Sequence, residues 1–119
     1  MSASSKDCAE IHAMGVKKSF HRTGIGKQLF QALEAYAARD YIYMQVKTVD
    51  EGHYPEYDQT IAFYNEMGFA KLEVFPNLWD VWNPCLVMVK KILFIEMHLV
   101  IFWLLQKLIK LYYMVEVKY

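Results

Sequence analysis

The sequence predicts a single α/β domain, built on a sheet of mixed strand direction and followed by an apolar C-terminal helix. Three observations support this fold class: the length of 119 residues, the apolar share of 55% against a charged share of 22%, and the order of the segments. That order is strand, loop, helix, strand, helix, strand, strand. The same composition excludes a disordered or collagen-like chain.

The charge balance and the cysteine content exclude several classes of function. Thirteen basic residues balance thirteen acidic ones. We therefore expect no nucleic-acid partner, because binding to nucleic acid depends on neutralising many phosphates. Cys8 and Cys85 are too few for a disulfide framework or a zinc site, which favours a cytoplasmic protein without a structural metal. Residues 1–7 lack the apolar stretch of a secretory signal, and we expect them to be disordered.

The first half of the domain contains the best-patterned element, a helix over Ile25–Arg39. Its apolar residues recur at helical spacing and form one stripe, which consists of Ile25, Leu29, Leu33, Tyr36 and Ala37. A short, partly alternating strand over Ala9–Val16 precedes this helix. A second strand over Tyr41–Val49 follows it, rich in β-branched and aromatic residues.

The second half begins with a loop over Asp50–Asp58, which contains a glycine and a proline. A helix over Gln59–Met67 follows, and Gly68 is its predicted stop signal. The remaining predicted segments are a strand at Phe69–Phe75, a loop at Pro76–Pro84 and a strand at Cys85–Val89.

The turn before the long helix suits a phosphate group. The first backbone N–H groups of a helix have no partner within it and carry the positive end of its dipole. Gly24 and Gly26 present no Cβ to an approaching anion, and Arg22 and Lys27 add positive charge. Taken alone, this spacing also fits an ordinary strand-to-helix turn, because it matches neither the dinucleotide fingerprint nor the P-loop.

Two segments together resemble the GNAT superfamily of N-acetyltransferases, over about residues 8–91. The first is His21-x-x-Gly24-x-Gly26 after a strand ending in Val16, which resembles the acetyl-CoA signature with histidine at its glutamine or arginine position. The second, Ile-Ala-Phe-Tyr-Asn-Glu-Met-Gly-Phe at 61–69, is similar to the family's helix-and-turn motif. A long helix and a strand separate the two segments, in the order that the family requires.

The resemblance implies a transfer of the acetyl group from acetyl-CoA, as co-substrate, to a primary amine by direct attack in a ternary complex. It also implies that the main chain at 21–27 holds the CoA pyrophosphate and that the main chain at 14–16 binds the pantetheine arm. The implied cofactor-binding residues are Met14, Gly15, Val16, His21, Arg22, Thr23, Gly24, Ile25, Gly26 and Lys27. In the family, two parallel strands splay apart there; by order they would be Ala9–Val16 and Tyr41–Val49.

Two residues are the predicted catalytic groups. Tyr64 matches the family tyrosine that commonly protonates the leaving thiolate, although an aromatic residue beside Phe63 also fits simple packing. An amine is mostly protonated at neutral pH, so a base helps the attack. Glu10 is the predicted base, in a segment similar to the histone acetyltransferase branch. Because side chains alternate along a strand, His12 lies on the same face as Glu10 and is the second candidate for the base. In the alternative interpretation neither residue is catalytic: Glu10 is a solvated edge residue and His12 a core residue.

The family domain normally begins with further strands and helices before the strand at Ala9. The sequence therefore predicts a domain truncated at its N-terminal side. The alternative function is a catalytically inactive fragment that retains the CoA-binding loop or acts only through association. The amine acceptor is expected to be a small molecule or a peptide. The segment at 50–58, with His53, Tyr54 and Tyr57, either lines the acceptor site or is a plain surface loop. Trp79 and Trp82 either form a wall of the pocket or simply pack.

The tail at 92–119 does not resemble the family and is almost wholly aliphatic and aromatic. We expect a packing or dimerisation helix over Ile92–Leu111 with Tyr112–Tyr119 extended, or else a segment with no selected role. Charged residues within the tail argue against a membrane span, which needs about 20 mostly apolar residues. A homodimer through the sheet edge or the tail is the expected association.

Overall fold

The computed structural model describes residues 1–12, 15–16, 24–92, 98–112 and 115–116. In chain order its elements are β1 (Ser2–Ala3), β2 (Cys8–Ile11), β3 (Gly15–Val16), α1 (Ile25–Ala37), β4 (Tyr43–Val49), α2 (Pro55–Glu66), β5 (Ala70–Asp80), β6 (Asn83–Lys91), α3 (His98–Tyr112) and β7 (Val115–Glu116). Three short strands precede α1, then β4 and α2 follow, and two long strands come next. The predicted α/β class is confirmed.

Five of the strands form one sheet in the order β1-β2-β4-β6-β5. Strands β2 and β4 run parallel, with Cys8 opposite Tyr43 and Ile11 opposite Val46, while the other neighbours in this sheet are antiparallel. Parallel neighbours need a long crossover connection, and α1 provides it here. The sheet therefore has the mixed direction that the sequence predicts.

Helices α1 and α2 share one buried core with alternate residues of the strands. Its members are Ala9, Ile11, Phe30, Ala37, Met44, Val46, Ile61, Tyr64, Met67, Phe69, Leu86, Met88 and Ile92. Because side chains alternate along a strand, Glu10, Gln45 and Lys47 lie on the opposite face of the sheet. The predicted stripe of α1 is partly wrong, since Tyr36 is exposed and Phe30 is buried in its place.

The predicted strand Ala9–Val16 is interrupted. Strand β2 ends at Ile11, and Gly15–Val16 form a separate strand that pairs antiparallel with β7 rather than with β4. The predicted parallel pairing is therefore confirmed only over Ala9–Ile11, and Cys8 adds one pair before it. Strand β4 continues to Val49 beyond its pairing with β2, so the two parallel strands separate after Ile11. Ser2 and Ala3, within the segment expected to be disordered, pair with β2.

The predicted loop Pro76–Pro84 is wrong, because β5 and β6 form one long hairpin that turns at Val81 and Trp82. Strand β5 lies at the edge of the sheet, and Pro76 falls in an irregular stretch of its register between Phe75 and Asp80. A proline on an edge strand or at a bulge breaks no central ladder hydrogen bond. The prediction that the strand ends before Pro76 was therefore wrong, because this edge strand accommodates a proline.

Helix α2 begins at Pro55, ahead of the predicted start at Gln59. Proline suits the first position of a helix, where its missing N–H has no intrahelical partner to lose. The helix ends at Glu66, and Gly68 follows with φ of 99°, a left-handed conformation that favours glycine. The predicted stop at Gly68 agrees with this geometry.

The tail contains α3, which packs against α1. Helix α3 has 15 residues, and no helix in the described ranges is long and apolar enough to cross a membrane. The predicted helix start at Ile92 is wrong: Ile92 is buried and its N–H donates to the carbonyl of Ile42 at 2.8 Å, next to the end of β6. The domain boundaries at 8–91 and 92–119 stay predictions.

Candidate active site

A cavity of about 570 Å³ lies at the carboxyl ends of β2 and β4, where these strands separate. Its volume falls within the range of small-molecule sites. Parts of β2, β4, α2 and the β5–β6 hairpin form its wall. The lining residues are Ile11, His12, Val46, Lys47, Thr48, Val49, Tyr57, Thr60, Tyr64, Trp79, Asp80 and Asn83.

Tyr64, a predicted catalytic residue, both packs in the core and lines this cavity. Its ring makes edge-to-face contacts with Phe63 and Phe69, at centroid distances of 5.3 Å and 5.2 Å. The residue is 6% exposed, and burial raises the pKa of its hydroxyl to about 12. The phenol is therefore protonated at neutral pH and able to donate a hydrogen bond.

Glu10, the predicted base, is not among the residues that line the cavity, and two neighbours hold its carboxylate. Its Oε1 accepts a hydrogen bond of 2.7 Å from Gln45 Nε2 and lies 3.2 Å from Lys47 Nζ. Partial burial alone raises the pKa of Glu10, but these hydrogen bonds and the nearby charges of Lys47 and His12 lower it overall. A carboxylate with a lowered pKa is a weak base and stays ionised at neutral pH.

His12, the predicted reserve, lines the cavity and contacts Glu10. Its Nδ1 lies 3.5 Å from Glu10 Oε2, and its Nε2 lies 2.5 Å from Ser2 Oγ. The expectation that Glu10 and His12 share a face of the sheet is confirmed by this contact. The three side chains form a row of hydroxyl, imidazole and carboxylate, in which the carboxylate can orient the ring.

Thr48 is a cavity residue that the sequence analysis missed. It is 5% exposed, and among the described residues its hydroxyl has no hydrogen-bond partner. Alternation along β4 places it on the core-facing side with Met44 and Val46. A hydroxyl at a core-facing position near the end of a strand is the signal that could have identified it.

The β5–β6 hairpin forms the rim of the cavity. The Asp80 carboxylate accepts hydrogen bonds from the Asn83 side chain and from the backbone N–H groups of Trp82 and Asn83. The Asn83 side-chain bond is the main reason why the pKa of Asp80 is lowered, so this rim carboxylate is ionised. Trp79 lines the cavity, and the exposed Trp82 is not part of its wall.

The predicted cofactor loop is described only in part. Gly24 precedes α1 with φ of 81°, and the first turn of the helix contains no acidic residue. Ile25, Gly26 and Lys27 form that turn, whereas Gly15 and Val16 pair with β7. Four predicted cofactor residues lie outside the described residues: Met14, His21, Arg22 and Thr23. In the described ranges, no group of three histidine, cysteine, aspartate or glutamate side chains is placed to hold a metal ion.

The acetyltransferase (GNAT) domain family matches residues 1–71. The chain belongs to the GNAT acetyltransferase family. Among solved structures, this GNAT chain is similar to Ard1 from Thermoplasma volcanium, with a TM-score of 0.65 and 22% identity over 76% of this chain and 59% of that one. It is also similar to an aminoglycoside 6'-N-acetyltransferase complexed with coenzyme A, with a TM-score of 0.62 and 22% identity over 79% of this chain and 64% of that one.

At these identities the two solved structures support a shared fold. The GNAT chain spans less than two thirds of the length of either one. No curated protein sequence matches it significantly. The family match ends at residue 71, so most of the β5–β6 hairpin and the whole tail lie beyond it.

Proposed function

We propose that this GNAT chain is an N-acetyltransferase, which moves the acetyl group of acetyl-CoA to a primary amine by direct attack in a ternary complex. The observation that carries this proposal is that Tyr64 and His12 line one cavity, at the place where β2 and β4 separate. Family membership and the coenzyme A complex of the second structural neighbour also support it.

The start of α1 supports the proposed position of the CoA pyrophosphate. A helix N-terminus offers backbone N–H groups and the positive end of the helix dipole. Gly24 is exposed, and a Cβ placed on it would meet no atom of the described residues within 4 Å, which supports an approach of an anion to this turn. The first turn carries Lys27 and no acidic residue that would repel a phosphate.

The proposed reaction forms one bond and breaks one. The nitrogen lone pair of the amine attacks the thioester carbonyl carbon, the C–S bond breaks with its electron pair on sulfur, and the nitrogen loses a proton. His12 is the cavity residue suited to take that proton, because imidazole is a common general base and Glu10 Oε2, 3.5 Å from its Nδ1, can hold the ring in place. We therefore propose that Glu10 acts through His12 and positions its ring. Ser2 Oγ, bonded to Nε2, either turns away or relays the proton.

Tyr64 is the proposed partner of the leaving sulfur. A hydroxyl with a pKa of about 12 is protonated throughout the neutral range, so it can donate a hydrogen bond to the developing thiolate. The pKa of an ordinary thiol is about 8.5, so complete proton transfer from Tyr64 would be uphill. Its contribution is therefore stabilisation of charge on sulfur as the bond breaks.

Calorimetric titration with acetyl-CoA and an assay of thiol release with a panel of primary amines test this function. We expect binding, and thiol release that depends on the amine. No binding at millimolar acetyl-CoA would overturn the proposal. Binding without thiol release for any amine would instead support an inactive fragment that retains the CoA-binding loop.

The setting of the reaction is part of the proposal. Both cysteines, Cys8 and Cys85, are free thiols, which suits the reducing cytoplasm. The acceptor is proposed to be a small-molecule or peptide amine. Analytical ultracentrifugation would test the proposed homodimer through the sheet edge or the tail.

A further inference from the structure

Lys47 is a primary amine of the chain that lies at the proposed site of acetyl transfer. It lines the same cavity as His12 and Tyr64, the two residues proposed to serve the reacting atoms. Strand register places its side chain on the same face of the sheet as Glu10 and Gln45, away from the core. The side chain is 37% exposed, so its amine is not buried in the protein.

One carboxylate connects this amine to the proposed base. Glu10 Oε1 lies 3.2 Å from Lys47 Nζ, and Glu10 Oε2 lies 3.5 Å from His12 Nδ1. Because the two oxygens belong to one planar group, they keep the amine and the imidazole close to each other. An amine and a base are the two groups that acetylation needs besides the thioester.

In the proposed function the thioester enters this same cavity, because His12 and Tyr64 act on its reaction there. The cavity has a volume of about 570 Å³, which is small enough for a side chain on its wall to reach a group bound within it. An amine fixed beside a bound thioester reacts at a high effective concentration. Lys47 is therefore placed to compete with an external amine for the acetyl group.

A second lysine of the described chain is similar to Lys47 except in its position. Lys71 on β5 is 42% exposed, and its amine also pairs with a glutamate, Glu51. It does not line the cavity. Exposure and charge pairing are thus similar for the two lysines. A difference in acetylation between them would report the effect of the cavity.

We propose that Lys47 is an acetylation site, modified by transfer from acetyl-CoA within the same molecule. This inference rests on the proposed function and adds a modification site to it. The Lys47 ammonium first loses one proton to solvent, with His12 as the base. The Nζ lone pair then attacks the thioester carbonyl carbon, and the C–S bond breaks with its electron pair on sulfur. The nitrogen gives up a second proton, which ends on the CoA thiol.

The test is incubation of the full chain with acetyl-CoA and no added amine, followed by mass spectrometry of its peptides. Lys47 should be acetylated at least about 10-fold faster than Lys71, because it reacts inside the cavity. The rate at Lys47 should saturate with acetyl-CoA, whereas the rate at Lys71 should rise linearly. Tyr64→Phe should lower the rate at Lys47 to that at Lys71. The fast acetylation should disappear in Lys47→Arg and persist in Lys71→Arg.

A mixture of two variants tests whether the transfer stays within one molecule. The Tyr64→Phe chain has the Lys47 amine but lacks the proposed partner of the leaving sulfur, and the Lys47→Arg chain has the reverse. We expect no fast acetylation of Lys47 in this mixture. Fast acetylation there would show transfer between molecules and contradict the inference.

Thiol release with free amines separates this inference from the proposed function. Amine-dependent thiol release together with equal acetylation rates at Lys47 and Lys71 would overturn the inference and leave the proposed function standing. If acetyl-CoA acetylates neither a free amine nor Lys47, both proposals are wrong.

Discussion

The cavity and the predicted cofactor turn are built in different ways. The cavity takes its wall from β2, β4, α2 and the β5–β6 hairpin, which are distant in sequence and meet only through strand register. The turn before α1 is a contiguous stretch whose function would depend on main-chain N–H groups. In the proposed function, side chains would do the chemistry in the first region, and backbone geometry would bind the anion in the second.

This difference has a consequence for what a sequence reveals. A backbone anion site leaves a compact signature of glycines at fixed spacing, because glycine is needed where the main chain must approach a ligand or adopt positive φ. A side-chain cavity leaves no such signature, because its members are brought together by pairing across the sheet. The two regions should therefore respond to different substitutions, and the following experiments test that separation.

Tyr64→Phe should have the largest effect, and it should be confined to the cavity. Loss of the hydroxyl removes a donor to the leaving sulfur, so we expect kcat to fall by about 100-fold or more. The dissociation constant of acetyl-CoA should change little. Tyr57→Phe, on the same cavity wall but more exposed, is the matched control and should keep most of the activity. A Tyr64→Phe variant with full kcat would remove Tyr64 from the proposed chemistry.

The ion pair between Lys90 and Glu34 connects β6 to α1, so breaking it should weaken the packing of this helix on the sheet. Lys90 Nζ on β6 lies 2.8 Å from Glu34 Oε2 on α1 and donates to the Met67 carbonyl at 2.7 Å. Both side chains are largely buried, and removing one partner leaves the other charge unpaired. Glu34→Leu should therefore lower the free energy of unfolding by about 3 kcal/mol.

A urea titration would measure this loss, and the double variant Glu34→Leu with Lys90→Met should recover part of it. Hydrophobic replacement of both partners removes the unpaired charge, so the double variant is expected to be more stable than Glu34→Leu alone. Equal losses in the single and double variants would show that the pair does not connect α1 to β6 energetically.

Substitution of two glycines at the start of α1 can distinguish an anion-binding turn from an ordinary one. Gly24 has φ of 81°, so Gly24→Ala should cost about 1 kcal/mol of stability through backbone strain. Gly26 lies within α1, where alanine should gain about 0.5 to 1 kcal/mol. If a phosphate rests against this main chain, both variants should raise the dissociation constant of acetyl-CoA. Gly26→Ala with increased stability and unchanged affinity would indicate an ordinary turn.

The pH dependence of stability gives the smallest expected effect. The folded pKa of Glu10 is lowered, so its ionised form stabilises the fold above its ordinary pKa of 4.5. That contribution is lost as the pH falls below 4.5 through the folded pKa. The stability difference between wild type and Glu10→Gln should therefore shrink in acid, as measured by urea unfolding at several pH values. Glu66→Gln, on the exposed end of α2, is the control substitution for the loss of one carboxylate.

The fold was largely predictable because periodicity and composition report local structure. Helix α1, strand β4 and the stop at Gly68 follow from spacing within short windows. The errors arose where pairing overrides local signals: Pro76 is accepted on an edge strand, and β2 ends early because Gly15 and Val16 find another partner. The same holds for the candidate site. Tyr64 could be predicted because it belongs to a contiguous motif, whereas Thr48 could be identified only from its place in the cavity.

The pairing of β3 with β7 joins residues that are about a hundred positions apart through strands of two residues each. A ladder of two residue pairs stabilises the fold only slightly. It also closes a loop of about a hundred residues, which costs conformational entropy. We expect the main-chain amides of Gly15 and Val16 to exchange with deuterium well before those of β4 and β6. The β3–β7 pairing should thus be the first part of the molecule to open. Its opening would allow α3 to detach while the five-stranded sheet stays folded.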